Sequence, residues 1–448
     1  MMNYDVIMIG SGHATWHAAV TLQQAGKHVA IVEKDLVGGT CTNYGCDAKI
    51  ALDGPFQLVE QLNRFKGAGV DNVPSINWNA LMNYKHQVID PLAPTMTKIF
   101  GQLGIDLITG SAKLTDAHTV VVDGKKYSSD YIVLGTGQRP AMLNIPGAEY
   151  IHDSREFLDL PAMPERLTFI GAGIIALEFA SMAASMGKDV HVVEFSAKAL
   201  ATFNPAYVAR LQKKLSNQGV HFHFNEAVNA VSKAATGYTV TTNSGLSIDT
   251  DYVLGATGRV ANVENIGLED LGIESSRRGI KVNGHLQTAV PNIFASGDVI
   301  DKPQAKLTPV AIFESNYIAS VILGNQDPIS YPVVPSVVFT MPRIAEVGVS
   351  VTTAQSQPDE FRTQVLPFGQ QLAFQYKRAM DAEATLVFDH DGFLVGASVY
   401  ADDGDDLINL LTMIINGRYT AAMLQQQIFA FPSSTVGVLD LLAGLLPR

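Results

Sequence analysis

The 448-residue chain contains two cysteines, Cys41 and Cys46, set five apart behind Gly38 and Gly39. In a straight helix that separation spans about 7.5 Å of rise and points the side chains to different faces. A disulfide needs Cα atoms nearer than about 7 Å. The pair can therefore close only if Cys41 occupies a loop or a distorted first turn, which Gly38, Gly39 and Gly45 would permit. Two thiolates at this spacing lack the close pairing and companion ligands of a zinc site. A redox pair and two unbridged structural thiols remain as readings. Lys49 follows Cys46 by three residues.

Chemistry of this kind needs a scaffold, and the chain starts with one. Residues 5–10 read as a buried parallel strand. Gly10-Ser11-Gly12 follows, then a helical stretch to Gly26, then a strand closed by Glu33. Glycines at such a turn let the backbone approach a pyrophosphate at a helix N-terminus, and an acid at the end of the second strand can bind a ribose. Residues 167–194 repeat the design with Gly171, Gly173, Gly187 and Glu194, each 161 residues after its counterpart among Gly10, Gly12, Gly26 and Glu33. Four positions in one gapless register predict two dinucleotide sites. The third fingerprint position is Thr15 in the first copy and Ala176 in the second; Thr15 should push its helix slightly from the strand.

The segment Gly38-Gly39-Thr40-Cys41-Thr42-Asn43-Tyr44-Gly45-Cys46 resembles the redox motif of the pyridine nucleotide–disulfide oxidoreductase family. The resemblance runs almost the whole length. Thr136-Gly137-Gln138-Arg139-Pro140 and Ala256-Thr257-Gly258-Arg259 are similar to the family's crossover motifs. Thr288 and Ile293 to Asp298, with Gly297, resemble its second FAD motif, and residues 331–348 the start of its dimerisation domain. The resemblance implies FAD in the first nucleotide site and a nicotinamide nucleotide in the second. It makes Cys41 the interchange thiol and Cys46 the thiol against the flavin, with Lys49 paired to Glu178. Gly39, Thr40, Thr136, Gly137, Gly258, Asp298, Thr308 and Ala311 fall at its cofactor contacts. Thr308-Pro309 reads as an N-cap followed by a helix whose N-terminus favours an anionic reduced flavin. Glu194 would repel a 2′-phosphate, softened by Lys198, so NADH is expected over NADPH.

The C-terminus departs from the family. Its disulfide-reducing members carry a His-Pro motif and a glutamate five residues after the histidine, which act as an acid–base pair across the dimer. Here Phe431 and Val436 hold those positions. General acid–base assistance contributes about 10²–10⁴-fold, so the acceptor is either a small disulfide with a good leaving thiol or a metal ion, quinone or dioxygen. Tyr44, Tyr400 and Tyr419 are candidate proton donors. The acidic run from Asp402 to Asp406 reads as a solvated helix start rather than a metal site, and His390 as a surface turn.

The expected architecture is α/β: two Rossmann-like nucleotide domains and a C-terminal α+β dimerisation domain. The expected segments are 1–150 (FAD), 151–268 (nicotinamide nucleotide), 269–330 (return to FAD) and 331–448 (homodimer interface). A net charge of −12 without basic runs argues against nucleic acid. The lack of a long apolar run argues against a membrane span. The N-terminus has no basic segment of the signal-peptide kind, and a cytoplasmic location is expected.

Overall fold

The computed structural model describes residues 2–448. The strand Met2–Ile9 lies in the middle of a seven-stranded sheet, as the burial of its apolar residues 6–9 on both faces requires. It pairs in parallel with Val29–Glu33 on one side and Lys125–Leu134 on the other. Asp106–Thr109 extends the sheet beyond Val29–Glu33. Ile293–Ala295 returns from far along the chain to pair with Lys125–Leu134. The chain thus leaves this sheet after residue 134 and re-enters it near residue 293.

Between these points lies a second parallel sheet, in the order Val220–Phe224, Asp189–Glu194, Arg166–Ile170, Tyr252–Gly255. A three-stranded antiparallel meander, Val228–Lys233, Tyr238–Thr242 and Ser247–Thr250, packs its Val231, Val240 and Ile248 against Ile170 and Val193 of that sheet. The two crossover segments meet in a short antiparallel ribbon, Gln138–Pro140 with Arg259–Ala261. The C-terminal region is a five-stranded antiparallel sheet running from Ser336–Val338 to Arg362–Leu366, with the helix Gly404–Asn416 packed on it.

The C-terminal unit is fastened to both nucleotide units by buried polar contacts. Arg343 pairs with Asp53 of the helix Cys46–Arg64, and both side chains are buried. Asp402 takes both guanidinium nitrogens of Arg64. Tyr207 of the helix Pro205–Asn217 shares a hydrogen bond with Thr385 at 2.9 Å, and Glu346 accepts from the Asn204 backbone. Among the described residues no helix is long and apolar enough to cross a membrane.

Candidate active site

The two cysteines lie on different helices. Cys41 belongs to the short helix Gly39–Tyr44 and Cys46 opens the long helix Cys46–Arg64, with Gly45 between them at φ −142° and ψ −115°. A Cβ on Gly45 would lie 2.9 Å from the Thr40 carbonyl oxygen and 3.3 Å from Cys41 Cα, so the break folds the chain tightly back at a residue that has no side chain. This meets the geometric condition set by the five-residue spacing: Cys41 is in a first turn, and the helix does not continue from one thiol to the other.

Both cysteines are free thiols, within hydrogen-bonding reach of each other. The hydrogen bond from Cys41 is the main reason the Cys46 thiol falls to about 6; burial opposes it, and Thr308 and Lys49 add to it. The Cys41 thiol moves the other way, because it keeps the shared proton. Cys46 is the thiolate of the pair.

Thr308 corrects one sequence expectation. Leu307, not Thr308, is the N-cap of the helix Thr308–Ile322, which makes Thr308 its first residue and Pro309 its second. Its hydroxyl makes no capping bond and instead stands 3.6 Å from Cys46 Sγ. As a residue inside the first turn, Thr308 is free to turn its hydroxyl to the thiol.

Lys49 lies one turn along the helix from Cys46. Its Nζ holds both oxygens of Glu178, at 2.9 and 3.0 Å. Glu178, on the helix Ile174–Ser185, is buried. Its Oε1 also accepts the Phe339 backbone N–H at 2.8 Å, and Lys49 Nζ sits 4.2 Å from the Phe339 ring centroid. Burial alone would push the Glu178 carboxyl up; Lys49 and Phe339 N–H oppose that. Sequence reasoning missed Phe339, and no motif marks it.

The two nucleotide turns repeat the 161-residue register in their hydrogen bonds. Glu33 Oε2 accepts from Ser11 N at 2.9 Å and Glu194 Oε2 from Ala172 N at 2.8 Å. The other oxygen of each caps the residue two positions on, Asp35 N and Ser196 N, at 2.8 Å in both copies. Each acid is thereby fixed at the mouth of its glycine turn, Gly10-Ser11-Gly12 and Gly171-Ala172-Gly173. Gly10 has φ +101°, and a Cβ there would strike the Gly135 carbonyl oxygen. Thr15 is accommodated rather than excluded: it is fully buried, its hydroxyl donates to Gly10 O at 2.6 Å, and its methyl fills the space where Gly135 lacks a Cβ.

Thr136 and Gly137 are tied to Asn262 by Thr136 Oγ1 to Asn262 O at 2.7 Å and Asn262 N to Gly137 O at 3.0 Å. Gly258 has φ +101° in the opposite crossover. Gly39 packs on Gly12, joining the redox helix to the first nucleotide turn, and Thr40 stands exposed beside it. Gly297 lies against Ala14 and Ala311. Its N–H donates to the buried Glu314, which Lys302 and Tyr331 also hold. The Asp298 carboxylate takes no hydrogen bond from the described residues. A glycine cradle that any side chain would fill, an acid at its mouth and an uncommitted Asp298 fit a dinucleotide of the FAD kind.

Phe431 is 81% exposed, before the helix Ser434–Ala443, and Val436 is half-buried within that helix. Tyr44 donates to Asp35 at 3.1 Å under the Arg155 guanidinium, and Tyr400 is buried. Tyr419 is half-buried against the C-terminal core. Asp402 and Asp403 are engaged by Arg64 and Lys377, while Asp405 and Asp406 lie in the first helical turn. His390 is exposed in the turn between Glu383–Phe388 and Leu394–Ala401.

Fold and site together define a class, an oxidoreductase with two dinucleotide-type glycine turns, the first packed on the helix that carries one thiol of a pair. Residues 4–315 match the pyridine nucleotide-disulphide oxidoreductase family and residues 334–439 its dimerisation domain. The chain belongs to that family, whose members bind FAD and NAD(P)H. It is 31% identical over 452 residues to a dihydrolipoyl dehydrogenase of Chlamydia muridarum, covering 96% of this chain and 94% of the relative. It is 33% identical over 370 residues to the chloroplastic/mitochondrial glutathione reductase of Pisum sativum, covering 79% and 67%. Among solved structures it is similar to a Cu(II) complex of the HOCl-induced flavoprotein disulfide reductase RclA from Escherichia coli. That match has a TM-score of 0.90 and 25% identity, covering 99% of this chain and 100% of the other.

Proposed function

We propose that this chain is an NADH-driven, FAD-dependent reductase in which Cys41 and Cys46 carry electrons to a small disulfide. Residues 1–150 and 269–330 would hold FAD, 151–268 the nicotinamide nucleotide, and 331–448 would join two copies. Bound FAD would supply a hydride acceptor and two-electron delivery to the disulfide form of the Cys41–Cys46 pair. The observation that carries the reading is the asymmetry of the thiol pair: a Cys46 thiolate held by Cys41, Thr308 and Lys49 on one arm of a broken helix.

The chain's own residues suffice for the exchange. With no histidine at position 431, the base within reach of Cys41 is the Cys46 thiolate to which it already donates. Passing that proton to Cys46 frees the Cys41 thiolate to attack one substrate sulfur. The expelled thiolate takes that proton from Cys46, which then attacks Cys41 and releases the second substrate half as a thiolate. One thiol–thiolate pair becomes one disulfide, and one substrate disulfide becomes one thiol and one thiolate at unchanged total charge. Such a route favours substrates with acidic leaving thiols. Glu194, fixed by Ala172 and Ser196 at the second turn, supports NADH over NADPH.

A second reading is a metal-ion acceptor. Phe431 and Val436 in place of the acid–base pair favour it, and the RclA relative is described as a Cu(II) complex. Anaerobic titration of the FAD-loaded protein with NADH tests the first reading. About two electrons should produce a long-wavelength thiolate–flavin absorbance band that Cys46→Ser removes. Bleaching of the flavin without the band would sink it. NADH-driven Cu(II) reduction that survives Cys41→Ser, with no disulfide turnover in the wild type, would establish the second.

A further inference from the structure

On the edge of the second parallel sheet, away from both glycine turns, four chemistry-bearing side chains share one face. Asp189 and His191 stand on the strand Asp189–Glu194, and His221 and His223 on its neighbour Val220–Phe224, in a register that pairs His191 with His221. Side chains alternate faces along a strand, so these four lie together while Val190 and Val192 fill the core on the other side. Val220–Phe224 is the sheet's edge strand, which leaves the face approachable from solvent.

We propose that this face binds a divalent transition-metal ion, with Asp189, His191 and His221 as ligands and His223 as the residue that orients His191. Asp189 Oδ1 lies 3.5 Å from His191 Nε2 and 3.6 Å from His221 Nε2, and the three ligand atoms all fall within 4.8 Å of one another. A tetrahedral ion with bonds of about 2.0–2.1 Å holds its ligand atoms about 3.3–3.4 Å apart. Two of the three separations therefore already approach the edge length of such a site, and a small ring movement closes the third.

Hydrogen bonding points the same way. His191 Nδ1 is 2.9 Å from His223 Nε2. When His191 donates there, its Nε2 presents a lone pair to the Asp189 oxygen, and two acceptors face each other until a cation enters. A metal-bound histidine commonly holds its other ring N–H on a fixed acceptor in this manner. No Lys or Arg among the described residues forms a salt bridge with Asp189; the nearby Arg166 is committed to Asp251. On the third strand Thr168 is in register with His191, fully buried, with a hydroxyl that finds no partner.

Two imidazoles and one carboxylate select zinc, copper or nickel over magnesium or calcium. The site is separate from the nucleotide cradle. Asp189 begins the strand and Glu194 ends it, five residues and about 16 Å away, and dinucleotides bind at the carboxyl ends of such strands.

The test is zinc binding to the FAD-loaded Cys41→Ser/Cys46→Ser protein, which removes the thiols as a competing site. Calorimetric titration with Zn²⁺ should give one ion per chain at micromolar affinity or tighter. His221→Asn should weaken binding at least 100-fold and His223→Gln about tenfold. Zn²⁺ should raise the Tm of the parent and not of His221→Asn, and Co²⁺ should give the visible spectrum of a tetrahedral site. His221 is exposed, and unchanged flavin reduction by NADH in its variant would show the fold intact. A stoichiometry well below one, or equal Zn²⁺ affinity in the parent, His221→Asn and Asp189→Asn, would overturn the proposal.

Discussion

Thr308→Val isolates a contact that tunes the reactive thiol without touching its cysteine partner. Valine keeps the shape of threonine and removes only the hydroxyl 3.6 Å from Cys46 Sγ. The helix loses no cap, because that hydroxyl makes no capping bond. Hydrogen bonds to charged groups contribute about 1.5–3 kcal/mol, and a long bond to sulfur belongs at the lower end. A loss of about 1.4 kcal/mol corresponds to about one pKa unit. The Cys46 thiol should therefore rise from about 6 towards 7. At pH 6.5 the thiolate fraction would drop about threefold, and so would the alkylation rate of the reduced protein, while at pH 9 both proteins would be fully ionised. The assay is the iodoacetamide rate at Cys46, followed by peptide mapping from pH 5 to 9. A variant whose midpoint coincides with the wild type would refute the assignment of Thr308 as a donor to Cys46.

Three further perturbations test the supporting structure. Glu178→Gln leaves Lys49 with a neutral partner in a nearly closed site and should cost about 3 kcal/mol, read by urea unfolding; a loss under about 0.5 kcal/mol would mean that the pair is not buried in solution. Gly135→Ala drives a Cβ into the Thr15 methyl and should cost about 1–3 kcal/mol. Adding Thr15→Ser, which keeps the hydroxyl bond to Gly10 and removes the methyl, should recover most of that, and additive losses in the double mutant would show that the two residues do not meet. Burial raises the Glu346 carboxyl to about 7, against the hydrogen bonds from Asn204 and Ser398. The folded state then holds the proton more tightly than the unfolded chain, so this residue's contribution to stability declines as pH rises from about 4.5 to 7. Glu346→Gln should flatten that decline and gain roughly 1–3 kcal/mol on wild type above pH 7; parallel pH profiles for the two proteins would count against it.

Much of the fold was legible because it is written twice. One glycine-to-acid spacing recurs 161 residues apart, and the same spacing governs the hydrogen bonds that Glu33 and Glu194 make. The Lys49–Glu178 pair was reachable only through resemblance, since 129 residues separate its members. Phe339 was not reachable at all: it acts through its backbone N–H, a group every residue but proline possesses. Thr308 was misread by one position because Thr-Pro fits an N-cap followed by a first helical residue as well as it fits the first two residues of a helix, and only the extended backbone at Leu307 decides. The fit of Thr15 depends on Gly135, and a fingerprint read locally does not reveal a partner 120 residues on.

Glu178 is where three separately folded parts of the chain are fastened to one another: a lysine from the redox helix, a carboxylate from the second nucleotide unit and a main-chain amide from the C-terminal unit. Swinging the second nucleotide unit outward would break the Lys49 pair and the Phe339 N–H bond at once. These shared bonds resist the movement of any one of the three parts away from the other two.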